Sequence, residues 1–408
     1  MTETVEVHID LEGRTRLVGL CRYITKPTGT ASVFEYDTAW LEDPAAFAID
    51  PEQLSLQPGP IARRGRNSAL PGAIRDTAPD RWGQQLIRRA HQKAGMARAL
   101  SEIDYLLGLN DATRIGALRY RRAGEAEFDH QVGAYRVPPL IRLPALLQAA
   151  DAIHRRSESA DELRLLLHEG SPLGGARPKS AIEDRDGSLA IAKFPKPDDD
   201  RSIPHGEVLA MTLARAAGLE VAPSRLVDVA GRPVSVVSRF DREGATRIPF
   251  ISAMTMLGLD DGEVATYTDI AEVIRKHAAE PLRDLRELFC RMVFSVLISN
   301  LDDHLRNHAF LYAGQGRWRL APAYDLNPVP AFEKARELTT WISEAGPEAS
   351  LDHAQSVANY FGLKPEEARE IVEAQRGVVR QWRKTAKQLA MSAADIEVYA
   401  TAFDGAVR

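Results

Sequence analysis

Cysteine is nearly absent: the 408 residues include only Cys21 and Cys290, far apart in the chain. That argues against a disulfide framework and fits a reducing, cytoplasmic setting. A secretory leader is not apparent either, because "MTETVEVHID" has neither a basic nor an apolar section. The longest apolar stretch, "LFCRMVFSVLIS" at 288–299, is short and contains Arg291, so no membrane span is expected. Internal repeats and low-complexity tracts are missing as well. What remains is the composition of a soluble globular protein, 44% hydrophobic and 27% charged, long enough for two or three domains.

The net charge of −5 is mild but uneven. Residues 61–122 carry 13 Lys/Arg against 5 Asp/Glu. Such a segment suits nucleic acid or an acidic partner, or it is a solvated arginine-rich helical surface. No helix-turn-helix or aromatic-basic motif accompanies it, which favours the second reading.

Alternating residues in "VEVHI", "TRLVGLCRYI" and "ASVFEYD" predict strands over 3–40, and helical patterns follow to about 110, "APDRWGQQLIRRAH" being the clearest. The polar stretch "RRAGEAEFDHQVGAYRVPP" reads as a linker. A helix from 143 leads into "EGSPLGGARPKS", then strands "SAIED", "SLAIAKFP", "SRLVDVAG" and "RPVSVVSRFD", with the helix "GEVLAMTLARAAG" between the second and third. After about 265 the pattern is mostly helical. Leu282, Leu285, Leu288, Phe289, Met292, Val293, Val296 and Leu297 recur at helical spacing and predict a buried-face helix over 281–299.

That helix runs into "NLDDHLRNHAFLY", which places two aspartates, two histidines and two asparagines close together. Burying such groups without partners is costly, so the cluster marks a site. Asp302 and Asn307 fall in the loop. "AFLYA" and "WRLAPA" around "GQGR" read as a hairpin, and Asp325 follows in "AYDLNP". Phosphoryl transfer needs a carboxylate to orient the attacking hydroxyl and oxygen ligands for magnesium. Catalytic Asp, Asn five residues on, hairpin, then metal-binding Asp is the order used by protein kinases. The roles fall on Asp302 as base and on Asn307 with Asp325 as metal ligands. The competing possibility is a metal shared by His304 and His308, four apart on a helix. Leu305, however, stands where a zinc hydrolase of that pattern has glutamate. The plainer reading of each histidine is a hydrogen-bonded loop residue.

A kinase also needs a strand lysine and a phosphate-cradling loop. Lys193 ends the apolar run "LAIAK", and Gly174 and Gly175 in "GSPLGGARPKS" let backbone amides approach phosphate. It is not a Walker A loop, because Pro178 precedes the lysine. Glu207, early in the following helix, is the natural ion-pair partner of Lys193; the bland alternative is a helix-dipole carboxylate.

"GSPLGGARPKS", "LAIAKFP", "HGEVLAMTLARAAGLEVAPS", "VVSRFDR", "NLDDHLRNHAFL" and "LAPAYDLNP" resemble, in order and spacing, the HipA family of bacterial toxin kinases. "LPGAIRDTAPDRWGQQLI" resembles that family's amino-terminal subdomain. The resemblance implies an α+β fold: a protein-kinase-like two-lobed core with a mostly helical C-terminal lobe, preceded by a small α/β N-terminal subdomain. The expected divisions are an N-terminal subdomain over 1–125, a linker over 126–145, an N-lobe-like region over 146–250 and a helical C-lobe over 251–408. ATP and Mg2+ are the implied cofactors. Gly174, Gly175, Ala176, Arg177 and Lys193 would meet the phosphates, with His304 beside them. Val237 and Ser238 would bond adenine through their backbone, with Phe240 as an apolar wall. The implied activity is Ser/Thr protein kinase, the toxin of a toxin–antitoxin module. Its partners would be a HipB-like helix-turn-helix antitoxin, operator DNA through that antitoxin, and an aminoacyl-tRNA synthetase substrate such as glutamyl-tRNA synthetase. Growth arrest and persistence would follow. The alternatives are a small-molecule phosphotransferase on the same scaffold and a non-enzymatic nucleotide-binding module. One departure matters. The family's autophosphorylated loop serine aligns with Pro172, and Ser171 lies one residue away.

Overall fold

The computed structural model describes residues 2–96, 98–128, 137–169 and 177–407. They form two compact units built from alternating stretches of chain: Met1–Pro197 with Ser238–Asp261, and Asp198–Val237 with Gly262–Arg408. The sequence-based divisions run serially, whereas each unit here takes in a distant segment, because the chain leaves the first unit and returns to it.

The first unit opens with an antiparallel sheet in the order β4-β3-β2-β1-β5. Its strands are β1 (Thr2–Leu11), β2 (Arg14–Lys26), β3 (Gly29–Tyr36), β4 (Pro60–Arg63) and β5 (Leu118–Arg122). Alternate residues Val5, Val7 and Ile9 are buried, as are Cys21, Tyr23, Phe34 and Tyr36 on the neighbouring strands. Glu12 and Gly13, both at positive φ, make the tight turn between β1 and β2. β5 is an edge strand, "LRYRR", whose charge hides it from a hydrophobic-pattern search.

Its arginines explain the basic segment. Arg119 pairs with Asp111, Arg121 with Glu6, and Arg122 with Glu3 and Asp104. Arg63 and Arg75 share Asp260, Arg89 takes Glu158, and buried Arg114 donates to the carbonyls of Thr77 and Leu106. About half of the segment's basic side chains therefore have a carboxylate partner within the fold.

Helix Arg81–Lys93 is capped by Asp80 and buries Trp82, Leu86 and Ile87. Beyond it lie helix Leu143–Arg155 and a hairpin of β6 (Lys179–Glu183) and β7 (Leu189–Lys193). The returning segment joins this hairpin: the Arg239 amide donates to the Leu189 carbonyl at 2.9 Å.

The second unit contains helix Ile203–Ala216, the hairpin of β8 (Ser224–Val229) and β9 (Arg232–Ser238), and a helical remainder. Its central element is helix Pro281–Ile298, started by a proline that lacks only an N–H the first turn would leave unpaired. Leu285, Leu288, Phe289, Met292, Val293, Val296 and Leu297 are buried as the spacing predicts, but Leu282 is 78% exposed. It falls in the first turn, before the helix enters the core. Helices Tyr267–His277, Pro365–Val379 and Ala393–Val407 pack around this one. No helix of the described residues is long and apolar enough to cross a membrane.

Candidate active site

Ser299 ends the central helix in the left-handed conformation and turns the chain into a loop that is not helical. Two adjacent aspartates follow with opposite fates. Asp302 is exposed, whereas Asp303 is 2% exposed. Asp303 accepts from the hydroxyl of Tyr267 and, at 3.4 Å, from Ser295, and lies 3.0 Å from His308 Nε2. Burial alone would raise its pKa; His308 and Tyr267 outweigh that and hold the carboxyl below its ordinary range. The Tyr267 hydroxyl, buried beside this carboxylate, is pushed well above its usual range.

Asn300, fully buried, donates to Ser295 Oγ at 3.2 Å and accepts the Asn327 amide at 3.0 Å. Within the loop, the His304 amide bonds the Asp302 carbonyl at 3.0 Å, the Asn307 amide bonds the His304 carbonyl at 2.7 Å, and Asn307 Nδ2 returns to the Asp302 carbonyl at 3.2 Å. Asp302 and Asn307 are thereby closed into one turn. The Asn307 amide oxygen is a hard donor suited to a magnesium shell.

Asp325 comes to the same place. Its neighbour Tyr324 donates a hydroxyl hydrogen bond to the carbonyl of Arg306, the neighbour of Asn307. Asp325 itself sits at φ +58°, a strained conformation for a residue with a Cβ. Asn327 Nδ2 holds it there, bonding both its carbonyl at 3.1 Å and its carboxylate at 3.0 Å. The segment beyond is clipped onto the loop: Lys334 Nζ and Thr339 Oγ1 each donate to the Leu301 carbonyl at 2.9 Å, and the Thr340 amide donates to that of Asp303 at 3.0 Å.

Asn307 and Asp325 offer an amide and a carboxylate oxygen, the kind of donor magnesium takes alongside water and phosphate. The histidine alternative lacks its helix. His308 is 3% exposed and faces Asp303 and the Tyr267 ring, and among the described residues no three His, Cys, Asp or Glu side chains form a metal-holding group.

The other expected residues lie as follows. Lys193 ends β7, directly opposite Lys179 on β6. Glu207 is buried in helix Ile203–Ala216 and accepts from Ser235 Oγ at 2.8 Å. Val237 is buried opposite Ser224, and Ser238 ends β9. The half-buried Phe240 ring lies 6.4 Å from that of Phe250. Arg177 is half-buried, and Gly174, Gly175 and Ala176 lie outside the described residues, as do Ser171 and Pro172. Sequence reasoning passed over Asp303, Asn300, Asn327, Tyr267 and Lys334. Asn300 and Asp303 lay inside the quoted cluster, and Asn327 in "AYDLNP". Tyr267 and Lys334 carry no local signal.

The fold as a whole matches one already solved. The structure of the Shewanella oneidensis MR-1 toxin–antitoxin system HipA, HipB and its operator DNA aligns with a TM-score of 0.69 at 14% identity, covering 99% of this chain and 96% of that one. A model of the HipA-like C-terminal domain matches residues 171–382, and the chain belongs to the HipA family. Two Sinorhizobium fredii relatives carry the names "Putative kinase Y4mE" and "Putative kinase Y4dM". The first is 27% identical over 327 residues, 73% of this chain and 72% of its own length. The second is 29% identical over 271 residues, 61% of this chain and 64% of its own.

Proposed function

We propose that this protein is an ATP- and magnesium-dependent Ser/Thr protein kinase and the toxin of a toxin–antitoxin module. The observation that carries the kinase reading is the closure of Asp302 and Asn307 into one turn, with Asp325 held beside it through Tyr324 and Asn327. In this reading Asp302, exposed and mounted on a loop fixed from below by Asp303 and Asn300, accepts the proton of the attacking hydroxyl. Asn307 and Asp325 hold the magnesium, which when bound neutralises charge on the phosphates. Lys193 orients those phosphates, and the Val237–Phe240 backbone receives adenine.

Membership of the HipA family supports a protein substrate of the aminoacyl-tRNA synthetase class and a HipB-like antitoxin. The antitoxin proposal draws on the Shewanella complex, which contains HipB and operator DNA. The test is phosphoproteomics after induced expression, comparing the wild type with Asp302→Asn. A Ser or Thr phosphosite on a synthetase that appears only with the wild type is expected. Label found solely in a small metabolite would refute the protein-kinase reading.

A further inference from the structure

The turn Ala78-Pro79-Asp80-Arg81-Trp82-Gly83 has no part in the proposed chemistry, yet it grips the first residue of β6. The Lys179 side chain is 4% exposed and lies 3.4 Å from Asp80, whose side chain is 9% exposed. Asp80 also accepts the Gly83 amide at 2.7 Å as the cap of helix Arg81–Lys93. Trp82 Nε1 donates to the Lys179 carbonyl at 3.1 Å. One turn thus holds both the charge and the backbone of Lys179. Burial outweighs Lys179 and keeps the Asp80 carboxyl above its ordinary range, as in a pair shut off from water.

The register of the hairpin gives this pair a purpose. Lys179 and Lys193 are direct partners across β6 and β7. Opposite residues of an antiparallel pair point to the same face with Cβ atoms about 4.5–5.5 Å apart, and like charges there repel. Such an arrangement holds when each ammonium has its own counter-charge.

We propose that Asp80 is a positioning residue for nucleotide binding: it neutralises Lys179 so that the facing Lys193 can serve the ATP phosphates. This rests on the assignment of Lys193 to the phosphates in the reading above. Without Asp80, the two facing ammoniums lose this buried counter-charge. They separate or one sheds its proton, and either response draws Lys193 away from phosphate. The amino-terminal region then contributes to the nucleotide site through a single turn.

The experiment is calorimetry on the full-length protein with Mg-ATP and, separately, adenosine, which has no phosphates. Lys193→Met should weaken ATP binding about tenfold or more with adenosine unchanged. Asp80→Asn should weaken ATP about tenfold and adenosine by no more than about twofold. Lys179→Gln alone, and combined with Asp80→Asn, should bind ATP within about threefold of the wild type, because both remove the facing charge. These two variants keep the test decisive should Asp80→Asn fail to fold. Full ATP affinity in Asp80→Asn, a loss shared equally by adenosine, no rescue in the double variant, or a tenfold loss in Lys179→Gln would each overturn the proposal alone. Unchanged ATP binding in Lys193→Met would overturn the reading of Lys193 and the proposal with it.

Discussion

Asp302 and Asp303 are adjacent and chemically identical, and their substitutions should fail in opposite ways. The Asp303 carboxylate is buried, takes the Tyr267 hydroxyl and lies 3.0 Å from His308. A hydrogen bond to a buried charge is worth about 1.5–3 kcal/mol, and removing one partner of a buried ion pair costs about 3–5 kcal/mol. Both losses come from one carboxylate and overlap, so Asp303→Ala should destabilise the second unit by about 3–5 kcal/mol. That is a large part of the ~5–15 kcal/mol that holds an ordinary domain together. Asp302 is exposed, and its bonds to His304 and Asn307 use its carbonyl, which a side-chain change leaves in place. Asp302→Asn should alter stability by less than about 0.5 kcal/mol yet lower phosphoryl transfer about 10²–10⁴-fold. Urea unfolding followed by circular dichroism, with transfer measured per folded molecule, separates the two. A loss below about 1 kcal/mol for Asp303→Ala would show that the buried network does not support the loop. Near-normal turnover in Asp302→Asn would remove it from the base role.

Asp325→Ala should abolish magnesium-dependent strengthening of ATP binding, and Asp325→Gly should do the same while being about 1 kcal/mol more stable than the alanine variant, because φ +58° suits glycine; equal ATP affinity of the wild type in EDTA and in magnesium would refute the metal assignment. Burial pushes the Asp50 carboxyl up to about 6. The native chain then binds that proton more tightly than the unfolded chain, so stability should fall as pH rises from about 4 to about 6, by up to about 3 kcal/mol, and Asp50→Asn should lose that slope relative to the wild type in melts across the window. Pro172 has no hydroxyl and restricts the backbone of Ser171, so autophosphorylation of this loop should be weak; stoichiometric phosphate on Ser171 by mass spectrometry after incubation with Mg-ATP, with inactivation prevented by Ser171→Ala, would refute this.

Local pattern determined much of this protein. The alternation in β1 to β3, the helical spacing of 285–297, the glycine turn of the hairpin after the loop and the helical pattern of "APDRWGQQLIRRAH" are signals within a few residues of one another, and each produced the expected element. The proposed Asp302, Asn307 and Asp325 set could be put forward from the sequence because its members are close in sequence and their spacing repeats a known order. Other features depended on partners far along the chain. β5 exists because Glu3, Glu6, Asp104 and Asp111 neutralise its arginines, and nothing in "LRYRR" announces those partners. The different fates of Asp302 and Asp303 were decided by Tyr267, 36 residues away, whose hydroxyl reaches only one of them. Likewise the pairing of Lys179 with Asp80 spans about a quarter of the chain. Periodicity and capping act over a turn or two, so a sequence carries them openly; the neutralisation of a buried charge needs only an opposite charge nearby in space, and folding alone supplies that neighbour.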